Sequence, residues 1–79
     1  MELEKLVADV AKAIVDTPDA VTVTRTDNES DASVELLLTV APDETGMVIG
    51  RHGKIAKAIR TVVKAASAGS GKKVTVEIK

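Results

Sequence analysis

Leu3, Leu6, Val7, Val10 and Ile14 recur at the three-to-four spacing of a helix with one apolar stripe. Glu2, Glu4 and Asp9 fall towards its N-terminal half, where carboxylates suit the helix dipole. Pro18 disfavours helical geometry in the residue before it, so Asp16-Thr17-Pro18-Asp19 predicts the end of this helix. From Val21 to Thr26 the pattern becomes alternation, with Val21 and Val23 on one face and Thr22, Thr24 and Thr26 on the other. That is a strand built of β-branched residues. Asp27 to Asp31 is a polar turn, after which Val34, Leu36, Leu38 and Val40 alternate again. The two strands should form an antiparallel hairpin, with Leu37 alone on the opposite face as either a single exposed leucine or part of a contact surface.

Ala41-Pro42-Asp43-Glu44 predicts a helix start, with proline near the first helical position and acids in the first turn. Gly50 and Gly53 follow so soon that this helix must be short. Lys54 to Ala68 predicts a longer one. At about 100° per residue, Ile55, Ile59, Val62, Val63 and Ala66 share one side, and Lys54, Lys57, Arg60 and Lys64 share the other. The glycines of Ala68-Gly69-Ser70-Gly71 stop it. Lys72 to Ile78 alternates and predicts a third strand. The order α-β-β-α-α-β implies a two-layer α+β domain, a three-stranded sheet packed by helices on one face. The helical crossover from the second strand to the third suits a parallel, right-handed connection. No linker or repeat interrupts residues 1–79, which predicts a single domain.

Composition narrows the chemistry. There is no Phe, Tyr or Trp, so the core must be aliphatic and no ring is available to stack on a base. The absence of cysteine removes disulfides, thiolate catalysis and cysteine-bound zinc, and fits a reducing cytoplasm. One histidine cannot build a His-rich metal site, and nothing predicts a cofactor. No apolar run approaches the roughly 20 residues of a membrane span, and the charged start does not read as a signal peptide. Net charge is −1, but it is unevenly spread. Residues 1–45 carry eleven acidic residues against three basic, a balance of −8, whereas residues 46–79 carry eight basic against one acidic, a balance of +7. Folding could present this polarity as a basic patch on an acidic body.

The informative segment is Val48-Ile49-Gly50-Arg51-His52-Gly53-Lys54-Ile55. Two glycines three apart, between two helices, let the backbone turn sharply and approach a ligand without obstruction by Cβ. The helix that follows should direct unpaired amides and its positive dipole end into the loop. Arg51, His52 and Lys54 add side-chain donors, so the junction favours an anion, phosphate foremost. A tight helix–helix turn with a solvated basic tip would carry the same residues. The spacing fits neither G-x-x-x-x-G-K-[ST] nor G-x-G-x-x-G, which excludes those nucleotide cradles.

Gly50-Arg51-His52-Gly53, followed by Lys54-Ile55-Ala56-Lys57-Ala58-Ile59-Arg60, resembles the GXXG signature of a KH domain, and the element order is similar to its type II form. The whole chain resembles the stand-alone bacterial KH proteins of the KhpA/YlqC family, with Met47 as a departure where a polar or basic residue is expected. The resemblance implies an RNA chaperone or post-transcriptional regulator in the cytoplasm that holds single-stranded RNA. It further implies a homodimer, pairing with a larger RNA-binding protein of the KhpB/Jag/EloR type, and a link to cell elongation and peptidoglycan homeostasis.

On this reading Gly50 and Gly53 admit the backbone of the RNA, and Arg51 and His52 contact phosphate and sugar. Lys54 adds a phosphate partner, and Lys57 and Arg60 either extend the basic track or form a solvated helix face. The bases would lie against Ile49 and Ala56, and Lys64, Lys72 and Lys73 read as solubilising. An enzyme is disfavoured, because no paired carboxylates or cysteine accompany His52. The serious rival is a dimerisation module that binds little RNA, in which Leu37 and the open sheet face would matter more than the loop.

Overall fold

The computed structural model describes residues 2–79. Helix α1 (Leu3–Ile14) leads through a single 3-10 turn at Pro18–Ala20 into strands β1 (Thr22–Asn28) and β2 (Ser33–Thr39). A second 3-10 turn, Pro42–Glu44, opens the short helix α2 (Thr45–Ile49). After the Gly50–Gly53 loop come helix α3 (Lys54–Ser67) and strand β3 (Lys73–Ile78). The order is the one the hydrophobic pattern predicts. The sheet runs β1-β2-β3, with β1 and β2 antiparallel and β2 and β3 parallel, as the helical crossover requires.

The helices cover one face of the sheet. Val34, Leu36, Leu38 and Val40 are all buried, and they meet Val7 and Ala11 of α1, Val48 of α2, and Ile59 and Val63 of α3. Thr22, Thr24 and Thr26 lie exposed on the uncovered side. Leu37 is on that side too, but it is half-buried between Thr24 and Glu77, its partners on the two neighbouring strands. The open sheet face therefore carries one shielded leucine in a polar surround.

Three local expectations change. Strand β1 runs to Asn28, two residues beyond the predicted end, because Asp27 and Asn28 still pair with Val34 and Ser33. The turn begins there because Asn28 Oδ1 accepts hydrogen bonds from Ser30 N (3.1 Å) and Ser30 Oγ (2.7 Å). The buried face of α3 is centred on Ala56, Ile59 and Val63, with Val62 and Ala66 exposed. It is rotated by about 50°, half a residue step, from the predicted stripe. The sheet lies under that side of α3, and on the side facing α1 Ile55 is half-buried while Val62 stays exposed.

Glu44 is the third. It reads as a first-turn acid, and the structure buries it, where it accepts hydrogen bonds from Thr17 N (3.0 Å) and Thr17 Oγ1 (2.7 Å). A buried carboxylate is tolerated only with such partners. Here it ties the connection after α1 to the start of α2, and so fixes the helix that delivers the loop.

Candidate functional site

Helix α2 stops at Gly50 because that residue turns to φ 75°, ψ 171°, while its amide still donates to Gly46 O at 2.9 Å. This region of backbone space is open essentially to glycine alone. Space dictates the same choice: a Cβ at Gly50 would sit 2.7 Å from Ile55 Cγ1. His52 follows in left-handed geometry (φ 58°, ψ 24°), as does Gly53 (φ 73°, ψ 15°). Histidine is among the side chains that tolerate this region best. A Cβ at Gly53 would meet nothing within 4 Å, so that glycine serves the turn and leaves its outer side clear for a ligand.

The donors differ from the sequence expectation. Gly53 N is bonded to Gly50 O at 3.1 Å, and Lys54 N to Arg51 O, so the tight turn itself consumes amides that were expected to face a ligand. The loop's remaining amides are those of Arg51 and His52, for which the described residues supply no backbone partner. Both side chains are exposed at the tip. What the loop offers an anion is therefore two adjacent main-chain donors, a guanidinium and an imidazole, with the N-terminus of α3 behind them.

The other candidates divide between the two flanks of α3. Lys54 lies at the lip of an apolar hollow formed with Val10, Ile14, Ala58 and Val62, on the side facing α1. Lys57 is exposed, and Arg60 lies on the β3 side, where its Nε donates to Val76 O at 3.3 Å. Arg60 is thus partly engaged at the open edge of the sheet, a consequence of the rotation of α3. Ile49 is exposed beside the loop, as a groove wall requires, whereas Ala56 is buried and belongs to the core. Met47 is half-buried.

Outside this region Lys5 pairs with Asp9, and Arg25 pairs with two carboxylates. Arg25 donates to Asp27 (Nε–Oδ1 2.7 Å) and to Glu4 (Nη1–Oε1 3.1 Å). The Arg25 guanidinium holds the Asp27 carboxyl below its ordinary range. The backbone at Glu4 itself, and then Arg25, do the same for Glu4. The surface that can attract a polyanion is the loop, α3 and β3. Among the described residues no group of three or more His, Cys, Asp or Glu could hold a metal ion, and no helix is long and apolar enough to cross a membrane.

A family model described as "KhpA/KhpB, KH domain" matches residues 4–78. The chain is 49% identical over 76 residues to a protein of Clostridium acetobutylicum named RNA-binding protein KhpA, covering 96% of this chain and 99% of that one. Proteins of the same name from Clostridium perfringens and Bacillus subtilis are 50% and 46% identical, with 96% of this chain and 99% and 91% of theirs covered. Among solved structures, 96% of the chain superimposes on 29% of Aquifex aeolicus Era bound to GDP and AlF4, at a TM-score of 0.62 and 15% identity. Era in complex with MgGDPNP and a segment of 16S ribosomal RNA gives the same TM-score and identity, over 28% of its chain. At that identity the likeness is one of fold.

Proposed function

This chain belongs to the KhpA/KhpB family of KH domains, and from that premise we propose that it binds single-stranded RNA through the Gly50-Arg51-His52-Gly53 loop. The supporting observation is the loop backbone: three of its four residues adopt positive φ, which turns the Arg51 and His52 donors together into solvent. Lys54, Lys57 and Arg60 extend the positive field along α3. The chain acts as a binding protein, not an enzyme. It works in the cytoplasm as an RNA chaperone or post-transcriptional regulator and pairs with an RNA-binding protein of the KhpB/Jag/EloR type. Through that pair it influences cell elongation and peptidoglycan homeostasis. Family membership and the proteins named RNA-binding protein KhpA support this reading.

Without an aromatic, the site lacks the roughly 1–3 kcal/mol per base that stacking supplies, so affinity for a short strand should be micromolar or weaker. If about three phosphates are engaged, log affinity should fall against log salt with a slope of about −2. A flat titration with single-stranded RNA would overturn the phosphate reading.

A homodimer accompanies this function. The hollow between α1 and α3 supports it, because Val62 there is 46% exposed and its surroundings are apolar apart from Lys54. This face suits self-association better than the shielded Leu37. Replacement of Val62 by lysine should shift sedimentation from dimer to monomer at micromolar concentration. A parent protein that sediments only as monomer at high micromolar concentration would refute the homodimer.

A further inference from the structure

Helix α2 delivers the loop, yet its five residues are far fewer than the roughly 12–15 at which a helix sustains itself in water. Its placement therefore depends on what grips it. Val48 anchors its middle, fully buried in the core. Glu44 stands at the cap position, but its side chain bonds no amide of α2. That side chain turns back to Thr17, whose amide and hydroxyl each donate to one carboxylate oxygen, at 3.0 and 2.7 Å.

Glu44 is only 6% exposed, and among the described residues no lysine or arginine pairs with it. Withdrawing a carboxylate from water is costly, and an exposed acid would suit the helix start equally well. What burial adds is position. Thr17 is itself held, because its carbonyl accepts from Ala20 N at 3.1 Å and Pro18 restricts the backbone that follows. On the other side Glu44 N donates to Ala41 O at 2.8 Å. The carboxylate thus joins two 3-10 turns that are each closed by their own hydrogen bonds. Gly50 lies about 9 Å further on, at 1.5 Å of rise per residue. Its amide is held by Gly46 O at 2.9 Å, and Gly53 N by Gly50 O at 3.1 Å. A continuous series of short bonds leads from Thr17 to the loop.

We infer that Glu44 is a positioning residue for RNA binding: latched to Thr17, it holds α2, and with it the Gly50–Gly53 loop, in the arrangement that receives the strand. The inference rests on the loop reading above and names what keeps that loop in place. Glu44 touches no RNA. A loop that adopts the competent arrangement for only part of the time binds with affinity reduced by that fraction, so the latch acts on affinity without adding a contact.

The test measures two quantities, affinity for a short oligouridylate and hydrogen exchange of the Gly50 and Gly53 amides. Both are read where circular dichroism shows every variant folded. Glu44→Ala should bind about fivefold more weakly, as for a loop competent about one-fifth of the time, and both amides should exchange several-fold faster. Glu44→Gln should stay within twofold of the parent in both. Its Oε1 accepts from Thr17 N, and its amide nitrogen donates to Thr17 Oγ1. Thr17→Val keeps the amide bond and loses the hydroxyl bond, so it should weaken binding by about twofold, and it serves if Glu44→Ala does not fold. Val23→Ala, a destabilising change in β1, should leave both readouts at parent values, which a merely structural effect would not. Parent-like affinity in Glu44→Ala would overturn the inference. So would unchanged loop exchange, a glutamine variant as weak as alanine, or equal effects from Val23→Ala. Arg51→Asp/His52→Asp tests the loop reading separately. Parent-like binding there would discard that reading, while the exchange comparison would still decide whether Glu44 holds the loop.

Discussion

Replacing Arg51 and His52 together with aspartate should reduce RNA affinity at least tenfold, about 1.4 kcal/mol, while melting temperature and circular dichroism stay near the parent values. The fold should survive because both side chains are exposed and neither makes a hydrogen bond to another described residue. Position 52 must remain left-handed at φ 58°, and aspartate, like histidine, is among the residues that tolerate this region. Both carboxylates also lie just before the N-terminus of α3, a location that stabilises negative charge by about 0.3–1 kcal/mol. Binding should fail for the complementary reason. Two fixed negative charges would then stand beside the Arg51 and His52 amides, where a phosphate must come, and like charges at contact distance repel strongly. Retention of parent-level affinity would reduce the loop to a turn and leave the dimerisation module as the better account.

Gly50→Ala should be the most damaging single-methyl change in the loop. At φ 75°, ψ 171° a non-glycine residue costs about 1–3 kcal/mol in backbone strain. The added Cβ would also sit 2.7 Å from Ile55 Cγ1 and 2.9 Å from Ile55 Cβ, atoms at the root of a side chain packed against the core. Overpacking of this kind costs about 1–3 kcal/mol more. For a domain of this size each kcal/mol lowers the melting temperature by about 4–8 °C, so a fall of more than about 10 °C is expected. Gly53→Ala supplies the comparison. It meets the left-handed penalty of about 1–2 kcal/mol but no steric contact, and its shift should be about half as large. Equal shifts for the two variants, measured by thermal unfolding, would show that contact with Ile55 does not constrain the loop.

The order of elements and the location of the loop were legible in the chain because both rest on local periodicity. Val34, Leu36, Leu38 and Val40 alternate, and a pleated strand must put them all on one face, where the structure buries them. Gly50 and Gly53 bracket two residues between helical patterns, and only a sharp turn can join them there. Net polarity between the two halves was equally plain, since charge is counted before it is placed.

What the tertiary structure decided are quantities that depend on partners distant in sequence. The stripe on α3 specified that the helix is amphipathic, but the sheet and α1 together set its rotation. That rotation buried Ala56, exposed Val62 and brought Arg60 to Val76 O. Glu44 was legible as a helix-start acid, and its burial follows from Thr17, 27 residues earlier, arriving with an amide and a hydroxyl to pair with it. Lys64 stands apart from Lys72 and Lys73 in the chain, and only the return of the chain after α3 places all three around one cleft. Local pattern fixes which face of an element is apolar. Which neighbours meet that face is settled by long-range packing, because burial is a property of the assembled layers and not of any one of them.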